Sequence, residues 1–413
     1  MDAEIITIGE ELITGHTTDH NGAYIARTLT DLGFSVRRIT SVGDSLEAME
    51  EVFRDALRRV RVIITTGGLG PTDDDITKKA IVRLFKRNLI YHEEVLEDIR
   101  RRYAERGIDM PAINQNQALL PQGAELFTNK LGSALGICIS EQGRIFISLP
   151  GVPVEMRQIM NDSVVPYLQG INKGPSLFVR KLRTTGIIES KIAEMVVPEL
   201  DLPEGVRLAY LPAYSGVDLR LYAEADNELE AREKVQAVER YLEKVCGKYI
   251  YGYDLDTLES VIGQLLTDND KTVSVAESCT GGELGRQLTS VPGSSAYFVG
   301  GVLSYTNQAK IEKLGVHPDV IGEHGAVSEE CARAMAEGCR HEFATDYAVS
   351  ITGIAGPSGG TEEKPVGTTY IAVASAHNTR VKLFRLGADR SVNRHRSVYA
   401  AMEMLRREIL DID

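Results

Sequence analysis

The strongest constraint in this sequence is an alternation. Between Ala3 and Thr66, short β-branched runs trade places with amphipathic helical stretches. Ala3–Gly9 reads as a strand. His20–Leu32 carries Tyr24, Ile25, Leu29 and Leu32 at helical spacing, and Ser35–Val42 alternates as a strand. Leu46, Met49, Phe53 and Leu57 mark a helix that Asp44 or Ser45 would cap, and Arg61–Thr66 is again a strand. This β-α-β-α-β order demands right-handed crossovers and a largely parallel sheet, because a parallel neighbour is reached only by carrying the chain back over one face. Helices over Thr77–Phe85 and Glu93–Glu105, a hairpin around Gln142-Gly143 and a closing helix over Val154–Leu168 complete a first domain, 1–170.

The stretch 170–175, with two glycines, a proline and no periodicity, has linker chemistry. A smaller unit follows over 176–252. Leu177–Thr184 is a strand and Glu189–Val197 a helix, Val206–Tyr214 and Val217–Ala225 form a hairpin about Ser215-Gly216, and Asn227 with Glu230 opens a long helix in capping-box fashion. A third unit, 254–413, resumes the alternation: strand Thr272–Ala276, helix Gly281–Thr289, strand Tyr297–Tyr305, helix Ser328–Phe343, strand Tyr347–Thr352. A hairpin across His377-Asn378 and a basic helix over Asn393–Leu410 end it. Several domains are also what 413 residues ask for, since one core stops growing at about 250–300 residues.

Composition bears on function more than on fold. The net charge is −13, from 46 Lys+Arg against 59 Asp+Glu. A generic grip on nucleic acid needs a basic surplus on some face, so the balance argues against that partner. Arg58-Arg59 and Arg100-Arg101-Arg102 read as solvated helix faces. The five cysteines are scattered, with no CxxC and no zinc spacing, which points away from a disulfide framework and towards a reducing cytoplasm. The N-terminal stretch lacks the pattern of a signal peptide, and no apolar run reaches the roughly 18–20 residues that cross a bilayer. We therefore expect a cytoplasmic protein with no membrane partner.

Four loops could carry chemistry, and each has a bland reading beside the functional one. Thr65–Thr77 follows an apolar strand and precedes a helix, where ligands of open α/β sheets gather. Its Gly67, Gly68 and Gly70 permit close backbone approach to an anion, and Asp73, Asp74 and Asp75 beside a phosphate would call for a hard cation. The alternative is a glycine turn with aspartates capping the next helix. Pro150-Gly151, in the second loop, is either a ligand-facing turn or a merely rigid one. In the third, Ser278 stands at a strand end with Gly281 and Gly282 opening a helix, a geometry that exposes a nucleophile and supplies backbone donors. A serine needs a base. Tyr305 and Lys310 follow the next strand, and a lysine neutralised by burial could take the proton. Otherwise Ser278 is a helix cap and Lys310 a surface lysine, and Cys279 is a rival nucleophile. The fourth loop, with Thr352, Gly353 and Gly356, either binds a polar group or is simply flexible.

GGLGPTDDDIT at 67–77 and LPGVPVEM at 149–156, with ITIGEELITG at 6–15 and NQNQALLP at 114–121, resemble the molybdopterin-binding fold of the CinA (competence/damage-inducible protein A) family. AESCTGG at 276–282, SYTNQAK at 304–310 and TGIAGPSGG at 352–360 are similar to that family's nicotinamide-nucleotide amidase domain. The resemblance spans the chain and implies three α/β parts: a three-layer molybdopterin-binding-like domain, a small KH-type α+β middle domain and a C-terminal α/β amidase domain. It implies that the first part hydrolyses the pyrophosphate of ADP-ribose with a divalent metal, Mg or a transition metal. Gly67, Gly68 and Gly70 would cradle phosphate, Asp73, Asp74 and Glu10 would hold the metal or position water, and Asn21, Pro150 and Gly151 would complete the pocket. A Glu10-Glu11 pair is otherwise just a solvated helix start.

The third part would deamidate nicotinamide mononucleotide without a cofactor. Ser278 would be the nucleophile, Lys310 the base, Tyr305 a proton relay and Thr352 an organiser of substrate or nucleophile. Gly281, Gly282, Gly353 and Gly356 would bind substrate. Arg394 or Arg396 would pair with its phosphate, unless both belong to a charged helix face. The middle part lacks the GXXG of nucleic-acid-binding KH domains, since Gly186 is followed by Ile187, Ile188 and Glu189; it reads as a spacer or dimerisation module, and the protein as a homodimer. The competing reading is a non-enzymatic accessory of competence or DNA repair that acts through a protein partner.

Overall fold

In a computed structural model of the chain, residues 1–72, 74–171, 176–213 and 216–412 are described. The chain divides into two compact units, one of 1–178 with 224–231 and one of 179–223 with 232–413. Asp73, the linker residues 172–175 and the turn residues Tyr214 and Ser215 lie outside the described residues.

The first unit is organised by β1 (Asp2–Ile8), β2 (Ser35–Val42), β3 (Val62–Thr66), β6 (Glu125–Phe127), β7 (Gly136–Glu141) and β8 (Arg144–Leu149), in the order β2-β1-β3-β8-β7-β6. The first four are parallel neighbours, β7 runs against them, and β6, antiparallel to β7, returns to their direction. Two short strands, β4 (Leu89–Tyr91) and β5 (Leu119–Pro121), pair with each other apart from this sheet. Every residue of β3 is buried, and alternate side chains serve opposite faces. Ile5, Val62 and Ile64 pack with Ile25 and Leu29 of helix His20–Asp31. Ile6 and Ile63 pack with Met49 and Phe53 of helix Leu46–Arg59. The result is three layers. Phe53 is wholly buried, and its truncation to alanine would cost about 3–5 kcal/mol. The β7–β8 turn falls at Gln142 and Gly143, both with positive φ (51° and 75°), as a two-residue hairpin requires. The closing helix is Pro153–Ile159, continued through a π-helical segment, Met160–Val164, into Val165–Ile171.

A four-stranded sheet runs in the order β10-β11-β9-β12, from β9 (Ser176–Thr184), β10 (Val206–Pro212), β11 (Val217–Ala225) and β12 (Ile250–Tyr253). The last strand had no visible signal: it is four residues long, and Gly252 sits at a register shift against β9.

The final sheet has the order β14-β13-β15-β16-β17, from β13 (Val273–Glu277), β14 (Phe298–Leu303), β15 (Tyr347–Gly353), β16 (Thr368–Ala374) and β17 (Thr379–Arg385). β13 lies between two parallel neighbours, and the last two strands are antiparallel. Helices Leu258–Asp268, Glu283–Thr289 and Arg390–Leu410 cover one face and helix Glu329–Phe343 the other. Helix Leu258–Asp268 begins with a Thr257–Ser260 capping box. Among the described residues no helix is long and apolar enough to cross a membrane.

Candidate functional site

The loop after β3 is drawn tightly across the end of the sheet. Gly67 has φ 117°, and a Cβ there would stand 2.1 Å from the carbonyl oxygen of Ile8, so only glycine fits. Thr77, opening helix Thr77–Leu84, donates its hydroxyl to the carbonyl of Gly67 (3.0 Å) and its amide to that of Gly68 (3.2 Å). Asn21 Nδ2 donates to the carbonyl of Gly151 (2.7 Å) and to Thr66 Oγ1 (3.2 Å), and Thr66 donates to the carbonyl of Pro150 (2.8 Å). Asn21, Gly67, Pro150 and Gly151 thus meet. The Oδ1 atom of Asn21 is buried without a partner, an acceptor left for a donor from outside the chain.

The acidic run divides in role. Asp75 belongs to the turn: its Oδ2 accepts from the amide (2.9 Å) and hydroxyl (2.5 Å) of Thr72, and a Cβ on Gly70 would strike it at 2.3 Å. Asp74 is exposed, and hydrogen bonding from Thr72 holds its carboxyl below the usual range. Glu10 is exposed, and its amide donates to Asp44 Oδ2 (3.1 Å). Burial pushes the carboxyl of Asp44 up, and the charges of Glu11, Asp74 and Glu10 push it further. These carboxylates therefore share one field. Among the described residues no three His, Cys, Asp or Glu side chains stand together as a metal site. At the second position of the following helix, Lys78 is buried, donates to the carbonyl of Asn116 (2.6 Å), and is brought down by burial to about 8.

In the second unit β13 delivers Ser278 to the end of the sheet, where its amide donates to the carbonyl of Ile351 (3.0 Å). Lys310 Nζ, from helix Asn307–Leu314, donates to Ser278 Oγ at 3.1 Å and to the carbonyl of Ser304 at 2.6 Å. Lys310 is 1% exposed. Burial lowers its pKa, and the groups that partly oppose this are the thiols of Cys331 and Cys279, not carboxylates. Thr352, Gly353 and Gly356 line the same cavity of about 280 Å³. Thr352 donates its hydroxyl to the carbonyl of Ala326 (2.7 Å), bracing the opposite wall. Tyr305, more than half exposed, stands at the mouth, its hydroxyl accepting from Arg390 Nη2 (3.2 Å), while Arg390 Nη1 donates to the carbonyl of Gly356 (2.9 Å). The thiol of Cys279 is pushed up to about 11 by burial, so it stays protonated at neutral pH, which argues against it as the nucleophile.

Two expectations need correction. The helix start after Ser278 is not a free anion site. Glu277, fully buried, accepts the amides of Gly282 (3.0 Å), Leu284 (3.1 Å) and Gly285 (2.8 Å), and the amide of Gly281 donates to the carbonyl of Ser278 (3.1 Å). Gly281 and Gly282 shape the turn, with φ of 61° and 93°, but their amides are already engaged. Nor do Arg394 and Arg396 line the Ser278 cavity. Arg394 donates through Nε and Nη2 to the carbonyl of Thr280 (3.2 and 2.7 Å), bracing the turn from behind. Arg396, about 200° further round the helix, lines a different cavity. The guanidinium at the Ser278 cavity is that of Arg390.

Three family models match this chain: "Probable molybdopterin binding domain" over residues 4–170, "Damage-inducible protein CinA KH domain" over 179–252, and "CinA C-terminal domain" over 255–409. A CinA-like protein of Cytophaga hutchinsonii is 41% identical over 99% of this chain and 98% of its own length. The chain belongs to the CinA family. A putative competence-damage inducible protein of Caldicellulosiruptor bescii is likewise 41% identical, over the full length of both. Among solved structures, the competence/damage inducible protein CihA from Agrobacterium tumefaciens is 40% identical and covers 36% of this chain and 92% of its own, with a TM-score of 0.36. CinA from Thermoplasma acidophilum is 34% identical over 39% of this chain and 94% of its own, with a TM-score of 0.37.

In this CinA-family chain the sequence reading passed over Glu277, Arg390, Asp44 and Lys78. Arg390 was within reach: it lies four residues before Arg394 on one helical face, and Asp389 caps the helix one turn earlier than the expected start at Asn393. Asp44 had been weighed as a helix cap, yet Ser45 fills that role through the amide of Ala48, leaving Asp44 free to face the acids around Glu10. Glu277 gave no signal, because its partners are backbone amides on the far side of a turn.

Proposed function

We propose that the second unit hydrolyses the carboxamide of nicotinamide mononucleotide, with Ser278 as nucleophile and Lys310 as its base. The observation that carries this is a dry ammonium 3.1 Å from a strand-end hydroxyl, with its pKa lowered and no carboxylate among the groups acting on it. Lys310 as the neutral amine takes the Ser278 proton as Oγ bonds to the amide carbon. The backbone amides of Cys279 and Thr280, with no backbone acceptor among the described residues, would serve the developing oxyanion. As the tetrahedral adduct collapses, Lys310 returns its proton and ammonia leaves. Water then attacks the ester, losing a proton to Lys310; the bond from the carbonyl carbon to Ser278 Oγ breaks, Lys310 returns that proton to Oγ, and nicotinate mononucleotide is released. Arg390, held by the Gly356 carbonyl and the Tyr305 hydroxyl, would pair with the substrate's phosphate.

For the first unit we infer metal-assisted cleavage of the pyrophosphate of ADP-ribose. Glu10, Asp44 and Asp74 carry hard oxygen donors that fit a divalent cation in kind, but among the described residues no three carboxylates stand together to hold one, so substrate phosphate would supply further oxygens. A bound cation there would neutralise charge on the phosphates. The chain's own part is to offer the Gly67–Gly68 backbone for close approach, to accept a donor at Asn21 Oδ1, and to hold Asp74 ionised and exposed beside the scissile group. The three-part division 1–170, 176–252 and 254–413 is supported by one main sheet in each part, the first part adding the two-stranded β4–β5 pair.

The test is one assay of the intact protein with each nucleotide, with added divalent cation and with chelator. Ammonia release should persist in chelator, and AMP release from ADP-ribose should vanish in it. Turnover of neither nucleotide would sink both readings and favour an accessory protein that acts through a partner.

A further inference from the structure

The Ser278 pocket is not the largest concavity of the second unit. A cavity of about 940 Å³ opens where the edge strand β17 and the helix Arg390–Leu410 face the start of helix Glu189–Val196. That volume suits a small organic ligand, which needs roughly 300–1,000 Å³. Three aromatic rings line it, those of Tyr249, Phe384 and Tyr399, together with four cations, Arg380, Lys382, Arg396 and Arg407. Two of these cations are engaged: Arg407 with Glu403 (2.6 Å) and Arg380 with Glu408 (3.0 Å). Lys382 and Arg396 have no carboxylate partner among the described residues, and Glu189 is the unpaired acid on the wall. In a chain of net charge −13, such a local surplus is a departure from the whole.

The charges and rings also stand together. The ammonium of Lys382 lies 5.3 Å from the centre of the Phe384 ring, and the guanidinium of Arg407 lies 5.5 Å from that of Tyr249. A purely apolar ligand would desolvate the cations for no return, and an inorganic anion would leave the rings unused. A planar π system joined to an anionic group satisfies both. We propose that this cavity binds a phosphorylated nucleoside, at a site separate from Ser278. The proposal does not depend on either reaction above.

The test is hydrogen-exchange mass spectrometry of the full chain with AMP, adenosine or inorganic phosphate at equal millimolar concentration. AMP should protect 185–189, 380–384 and 396–407, with adenosine and phosphate each protecting far less. AMP held by the first unit would instead protect 66–77, so the two sites are told apart. Lys382→Glu combined with Arg396→Glu should weaken AMP binding at 380–407 about tenfold or more. Phe384→Ala, which keeps both charges, should weaken it about threefold. The proposal falls if AMP protects none of the three segments, if phosphate alone protects them as well as AMP does, or if the charge-reversed protein keeps the wild-type melting temperature and the wild-type affinity.

Discussion

The loops after β3 and after β13 occupy the same place in their sheets, at the carboxyl end of a strand flanked by two parallel neighbours. They differ in how much water they admit. The first presents exposed carboxylates, Glu10 and Asp74, whose charges push the carboxyl of Asp44 up. The second keeps Glu277, Ser278 and Lys310 almost wholly out of solvent. Charge that is exposed is screened and must borrow a counter-charge to act, whereas charge that is buried has its protonation state set by the fold. On the proposed readings the first site would need added positive charge, and the second would carry its base within it.

The sharpest way to break this contrast is to remove the dry nucleophile. Ser278→Ala should lower ammonia release from nicotinamide mononucleotide by at least about 10³-fold, measured by mass spectrometry, while AMP release from ADP-ribose stays at the wild-type rate. Lys310→Arg should not restore activity to a Lys310→Met protein, because arginine stays protonated. The converse substitution, Asp74→Ala, should cut AMP release about 10²-fold and leave ammonia release intact; loss of both together would mean the two regions are not independent. A subtler probe is acidity. Lys310 must be neutral to act, so kcat/KM for the amide should climb with pH through a single deprotonation lying below the ordinary lysine value. A flat profile across neutral and alkaline pH would remove Lys310 as base.

The smallest effect concerns Lys78. Its amine is held at about 8 in the fold against 10.5 ordinarily. Stability from the neutral form is complete above the ordinary value and is lost as pH falls towards about 8. The stability of Lys78→Met relative to wild type should therefore rise between pH 10 and pH 7, read from urea unfolding at both.

How much of this could be read from the sequence depended on range. β1 and β3 were legible because buried parallel strands need unbroken apolar runs, as in Val62–Thr66, and β2, at the sheet edge and mostly exposed, by its alternation. The pairing of Ser278 with Lys310 was legible as a chemical need, a serine without a nearby histidine. β12 was too short to show a period, and the helix starting at Leu258 was overlooked although Thr257 and Ser260 form its cap. Arg396 was misplaced because proximity in sequence to Arg394 says nothing about the helical face. Glu277 lay beyond reach, since nothing local distinguishes a carboxylate that will fold back onto three amides from one that faces water.

That inward-folded carboxylate has a consequence for turnover. Amide hydrolysis converts a neutral group into an anion, and a bare helix terminus beside the nucleophile would clasp that anion and clog the enzyme. With Glu277 already occupying the terminus, an acid formed in the proposed deamidation would find no free amides there. The deamidated nucleotide should accordingly be a poor inhibitor of its own formation, with an inhibition constant well above the KM for the amide.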